Sequence, residues 1–382
     1  MKSERRLMEF KAIVICFIFT SFSFSQNLSQ DKVLLKLDSI AFSALEANSD
    51  RTAQYANNLL KESLKHPPSL YRVNAYIILG IVNKDKGFYV TSLNHYLNAL
   101  NAARDIDDVG RISSCLNNIG SIYQQQGNFQ KAKYYFLQSL EMESKLKNPL
   151  QKSIRYYNIG DVYVALDSLD LALSYFNNSL IIEKKSNNRE GIIYALLGVS
   201  EVYIKIERPI DASISLEKVK ELLNTNDLEE SILYFQLMGD LNVIDNKLNE
   251  GLNYYYQAEE LSMTKDFRVH LMDIYLNELK VLLKLQKFDV YAKKSEKYIQ
   301  LQQELNDLKI NNQLEDLTFQ NNLNQKELEI TLVQEERDLA IKNKTIQSNI
   351  SAIESRIVWF LISTLVIMLI LIIVGVRKIM HK

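Results

Sequence analysis

The chain has 382 residues, 47% hydrophobic and 24% charged, with a formal net charge of −1. This balance supports a large core, excludes a disordered chain and gives no basic signature for nucleic acid. Only 11 glycines and 4 prolines occur, against roughly 27 and 19 at average usage. Hairpin-rich sheets and glycine-rich nucleotide loops are therefore disfavoured, and a helical chain is expected.

Residues 1–25 read as a secretory signal peptide. Lys2, Arg5, Arg6 and Lys11 precede or border the apolar run Ala12–Phe24, and Ser23 and Ser25 sit at −3 and −1 of a cleavage point before Gln26. An uncleaved anchor is the alternative, although the run is short for a bilayer. Once the leader is removed, Cys115 is the single cysteine. It has no intramolecular disulfide partner, and its spacing suits a small apolar residue on a helix.

The middle of the chain is periodic. Ile119-Gly120-x-x-Tyr123 recurs as Ile159-Gly160-x-x-Tyr163, and Val199-Ser200-x-x-Tyr203 keeps the phase. Gly80, Gly120, Gly160 and Ser200 stand 40 residues apart, and Gly239 follows after 39. Twelve residues after each marker comes a small residue: Ser92, Ala132, Ala172, Ala212 and Gly251. Four further on comes a larger one: Tyr96, Phe136, Phe176, Leu216 and Tyr255. Small residues let two helices approach, and a large residue one helical turn along fills the space left. Gly127-Asn128 and Asp167-Ser168 supply turns inside the pairs. Such pairs bury their apolar faces only by stacking on one another.

These motifs resemble the tetratricopeptide repeat, with Leu-Gly-x-x-Tyr on helix A and Ala-x3-Phe/Tyr-x2-Ala on helix B. The resemblance implies an all-α superhelix of about six or seven helix-turn-helix repeats over residues 26–300. Ala56, Leu60, Ser63 and Pro68 suit a first unit, and Leu279, Leu283 and Ala292 a last one. The 40-residue period exceeds the usual 34 or so. It is similar to the lengthened repeats of peptide-binding proteins of the kinesin-light-chain and bacterial quorum-sensor type.

The resemblance places helix A on the concave face. The expected peptide- or protein-binding groove then holds Asn117, Asn118, Ser121, Tyr157, Asn158, Asp161, Tyr194, Glu201, Gln236 and Asp240, with Gln124 and Lys205 beside them. Asn118 and Asn158 occupy equivalent places and resemble the asparagine ladder that grips a peptide backbone; helix packing is the alternative role. An amide suits this task because it donates and accepts at once. The acidic trio Asp161, Glu201 and Asp240 recurs once per repeat and suits a basic partner or a solvated face. Tyr123, Tyr163 and Tyr203 are packing positions. No phosphate loop, nucleophile elbow or paired histidines at metal-ligand spacing occur, so no enzyme activity, metal or cofactor is expected.

Residues 301–356 lack glycine and proline and carry apolar residues at 3/4 spacing, including Ile310, Leu314, Leu317, Leu328, Leu332, Leu339, Ile346, Ile350 and Ile353. This pattern predicts a coiled-coil stalk and a homodimer, with Asn321 and Asn324 at core places; a single exposed helix is the alternative. Ile357–Val376 holds 20 residues without a charge, enough for one transmembrane helix. Trp359 stands near its start, and Arg377, Lys378 and Lys382 form a basic stub, 377–382. These signals place a single-pass protein in a bacterial inner membrane, with its N-terminal bulk periplasmic and its C-terminus cytoplasmic.

The order resembles the sensor half of Bacteroidetes tetratricopeptide membrane regulators, without their cytoplasmic kinase or DNA-binding domain. The resemblance implies a sensor or adaptor that binds a peptide or protein and acts on a separate kinase or transcriptional regulator. A static envelope scaffold and a truncated remnant are the alternatives. The expected partners are therefore a peptide or protein, a second copy and a lipid bilayer, and no nucleic acid.

Overall fold

A computed structural model describes residues 32–44, 49–146, 148–264, 267–314, 316–318, 339 and 341–347. The expected leader 1–25, span 357–376 and stub 377–382 lie outside the described residues, as does most of the expected stalk. The chain divides into two compact units, Met1–Leu317 and Thr318–Lys382.

The described residues contain helices and turns, with no strand. In chain order the helices of the first unit are α1 (32–43), α2 (Ser49–Ser63), α3 (Leu70–Asp85), α4 (Tyr89–Asp105), α5 (Val109–Gln125), α6 (Phe129–Glu143) and α7 (Pro149–Ala165). They continue as α8 (Leu169–Lys185), α9 (Arg189–Lys205), α10 (Pro209–Leu222), α11 (Leu228–Ile244), α12 (Leu248–Thr264), α13 (Arg268–Lys284) and α14 (288–314). Consecutive helices pair into seven hairpins, α1/α2 through α13/α14, which stack as a tetratricopeptide-like superhelix. The expected boundary at residue 300 falls inside α14, a continuous helix.

From the second pair onward, the turn within each pair is set by one left-handed residue. Gly87, Gly127, Asp167, Glu207, Asn246 and Gln286 all have positive φ, between 55° and 77°, at intervals of 39 or 40 residues. At each turn the following N–H reaches back to a carbonyl five residues earlier, as in Asn128 N to Tyr123 O (2.8 Å) and Ser168 N to Tyr163 O (2.9 Å). This bond satisfies a carbonyl the helix end would otherwise strand.

Close approach and filling occur as the period predicts. A Cβ on Gly120 would lie 2.7 Å from the Phe136 ring, and one on Gly160 2.8 Å from the Phe176 ring. The Ser92 hydroxyl donates to the Gly80 carbonyl at 2.7 Å, so the small positions meet the marker backbone directly. Tyr96, Phe136, Phe176, Leu216 and Tyr255 are all buried. Tyr123 stacks on Tyr135 (5.4 Å) and Tyr163 on Tyr175 (5.5 Å), consistent with packing roles. Cys115 is buried and free, and burial pushes its thiol up to about 12.

Two expectations are corrected. In the last pair, Leu283 and Ala292 are exposed; the core there is built from Ile274, Val281 and Leu282, with Tyr291 packed against it. The second correction concerns location. Among the described residues no helix is long and apolar enough to cross a membrane, so the single-pass inner-membrane placement is not upheld. Helices α3–α13 have 14 to 17 residues. At about 1.5 Å each they reach roughly 26 Å at most, short of the roughly 30 Å hydrocarbon layer.

Candidate peptide groove

Helices α5, α7, α9, α11 and α13 are the first members of successive pairs. Their equivalent positions fall into two rows. One row holds Asn117, Tyr157, Leu197, Gln236 and Leu276; the other holds Ser121, Asp161, Glu201, Asp240 and Lys280. From α7 onward these rows enclose a groove of about 580 Å³. Tyr157, Asp161, Glu201, Gln236 and Asp240 all line it, with Lys205. The structure thus brings together five of the ten expected site residues.

The other five take different places. Asn158 donates from Nδ2 to Asn117 Oδ1 at 2.8 Å, so these amides tie α7 to α5. Tyr194 packs edge-on against Tyr157, with centroids 6.0 Å apart. Asn118 and Ser121 are half-buried on α5 and do not line this groove.

The sequence reading missed the contribution of α13. Asp273, Leu276, Asn277 and Lys280 close the far end of the groove. Asn277 stands 40 residues after Leu237 and 119 after Asn158, in the phase of Asn118 and Asn158. Counting 40 onward from Gly239 would have found it. However, Leu279 replaces the marker glycine and hides the phase.

The groove is electrostatically crowded. Burial raises the carboxyls of Asp161, Glu201, Asp240 and Asp273 above their ordinary range. Glu201 is pushed further by the negative charges of Asp161 and Asp240. Some relief comes from neighbours. The Gln124 amide donates to Asp161, the Tyr255 hydroxyl donates to Asp240 at 2.6 Å, and Lys205 Nζ lies 3.7 Å from Glu201. Desolvation also raises the Tyr157 phenol strongly, so it remains a neutral donor. Four carboxyls face two lysines, so cationic groups are the complementary ligands.

A larger cleft, about 840 Å³, lies between α10 and α12. It lies beside the end of α10, at Lys220, Leu223, Asn224 and Thr225. Its floor is aromatic, with Tyr234, Phe235 and Tyr254, and its rim carries amides. The smaller groove is distinguished by charged groups that come to it from the first helices of four successive pairs. Among the described residues no group of three His, Cys, Asp or Glu side chains could hold a metal ion.

The fold and groove define a tetratricopeptide-like helical-repeat protein. Tetratricopeptide repeat models match residues 71–144 and 155–185. Solved structures share the architecture at low identity. The apo form of RapI is 12% identical with a TM-score of 0.60, covering 72% of this chain and 99% of that one. A Rap protein complexed with Competence and Sporulation Factor is 14% identical with a TM-score of 0.55, covering 70% and 74%. NprR in complex with its cognate peptide NprX is 14% identical with a TM-score of 0.57, covering 75% and 83%. At these identities the likeness is one of fold. Among curated proteins none matches the sequence.

Proposed function

We propose that the chain is a protein-interaction module that takes a positively charged peptide, or a basic segment of a protein, along α7, α9, α11 and α13. It binds rather than catalyses, and it serves as a sensor or adaptor for a separate partner. One observation carries this reading: Asp161, Glu201, Asp240 and Asp273, one from each helix, line a single groove while held partly desolvated. A ligand ammonium or guanidinium there offsets their mutual repulsion. The complex of NprR with its cognate peptide NprX supports a peptide as the ligand.

The test is fluorescence anisotropy of the full chain against matched peptides rich in Lys/Arg, rich in Asp/Glu, or neutral. The basic set should bind best and weaken as salt rises. Glu201→Gln combined with Asp240→Asn should cost about tenfold in affinity, the equivalent of roughly 1.4 kcal/mol. Because burial holds the carboxyls above their usual range, affinity should begin to fall at a higher pH than ordinary carboxylates would give and continue falling as they protonate. Equal binding of all three peptide sets would overturn the reading.

A further inference from the structure

Helix α14 does more than complete the seventh pair. Its first turns are pinned in place: Lys294 Nζ lies 2.7 Å from Glu259 Oε2 and 2.6 Å from Glu278 Oε2, reaching α12 and α13 at once. Past Leu301, which is buried, the helix runs on to residue 314. Leu305, Leu308 and Asn312 then border a cavity of about 320 Å³ whose other walls are Val269, Met272 and Asp273 of α13 and Gly87, Tyr89 and Gln125 of the second and third pairs. The seventh pair is thereby joined to the second.

At the far end stands Asp316, which is 3% exposed. Its carboxylate accepts from the backbone N–H groups of Val90 (2.7 Å) and Thr91 (3.0 Å) and from the Thr91 hydroxyl. These are the second and third residues of α4, the positions an N-cap side chain serves. Helix α4 has Phe88 at its own N-cap and draws no side-chain cap from it. By contrast, Asp108, Asn128 and Asn148 cap α5, α6 and α7 locally. Helix α4 thus borrows its cap from 225 residues further along the chain. The approach is close: a Cβ on Gly87 would sit 2.5 Å from the Asn312 amide.

We propose that residues 301–317 are an intrachain clasp docked on Gly87–Thr91 and on the α13 stripe Val269–Asp273, and that this clasp abuts the end of the groove at Asp273. The α13 stripe is shared. Val269, Met272 and Asp273 face the clasp, whereas Asp273, Leu276, Asn277 and Lys280 face the groove. A ligand extended along α13 meets the clasp at Asp273, so groove binding and clasp docking compete. The competition rests on the groove reading above; the clasp itself does not.

Hydrogen exchange on the full chain, wild type against Asp316→Ala, tests the clasp without any ligand. Loss of a helix cap worth about 1 kcal/mol corresponds to roughly fivefold easier local opening. Peptides covering both the first turn of α4 and 301–317 should exchange at least about fivefold faster, while α5–α8 stay unchanged and certify the fold. Asp316→Asn, which keeps an acceptor, should fall between the two. Faster exchange in α4 alone would reduce Asp316 to a cap and overturn the clasp, as would no change in either segment.

A second arm uses the basic peptides already named. Asp316→Ala should bind them several-fold more tightly, and unchanged or weaker binding would overturn the competition. If no peptide binds either chain, the groove reading and the competition built on it fail together, while the exchange result still decides the clasp.

Discussion

Pairs three and four repeat almost residue for residue. Gly120 faces Phe136 as Gly160 faces Phe176, and Tyr123 stacks on Tyr135 as Tyr163 does on Tyr175. The last three pairs keep the period and change the contents. Ser200 and Leu279 stand where glycine stood, α10 stops short, and the row of Ser121, already Asp161 in the fourth pair, continues as Glu201, Asp240 and Lys280. The regular region devotes most of its side chains to packing neighbours, with Glu143, Arg155 and Glu183 buried among them, and gives Tyr157 and Asp161 to the groove. The irregular region gathers Glu201, Asp240, Asp273 and the Lys294 cluster, where ionisable groups are buried with few partners. Departures from the period therefore coincide with three of the groove's four carboxyls, the fourth, Asp161, coming from the regular region.

The largest effect expected in this comparison is at its hinge. Phe176 lies between Gly160 and Gly198, with each glycine so close that a Cβ would fall 2.7–2.8 Å from the ring. Phe176→Ala should cost about 3–5 kcal/mol in urea unfolding. A loss under about 1 kcal/mol would mean the regular region is not the rigid part.

The next prediction concerns pH. Glu259 and Glu278 share one ammonium, and burial raises Glu278 to about 7. Between the ordinary glutamate value and 7, the native state keeps a proton that the unfolded chain releases. Stability from this group is therefore full at acid pH and is lost as pH rises through that window. Thermal melts should fall by roughly 5 °C from pH 5 to 8, and Glu278→Gln should flatten the slope. A slope unchanged by the substitution would place its source elsewhere.

The smallest effects lie in the turns. Glu207 holds φ 57° without being glycine, whereas Gly127 at 74° has nothing within 4 Å of a would-be Cβ. Glu207→Gly should stabilise by up to about 1 kcal/mol and Gly127→Ala should destabilise by a similar amount. Equal and absent effects in denaturant titrations would show that the left-handed turns carry no strain.

The seven-pair array was largely legible because its rule is local. Gly80 and Tyr96, or Gly239 and Tyr255, lie 16 residues apart and meet within one hairpin. Legibility failed where a marker changed. With Leu279 in place of glycine, the α13 phase was misplaced, and Asn277 and Asp273 were lost from the site. The asparagine pair was also only half legible. Equivalence of Asn118 and Asn158 is a matter of counting, but the bond from Asn158 to Asn117 depends on how α7 sits against α5.

From the sequence alone came the period, the helix pairs and the packing partners inside each pair, because a 3/4 spacing determines which residues share a helical face. The tertiary structure alone decided that four carboxyls on four helices converge on one groove and that Asp316 caps α4. Those contacts follow from the accumulated rotation of seven stacked pairs, and no short-range pattern encodes that sum.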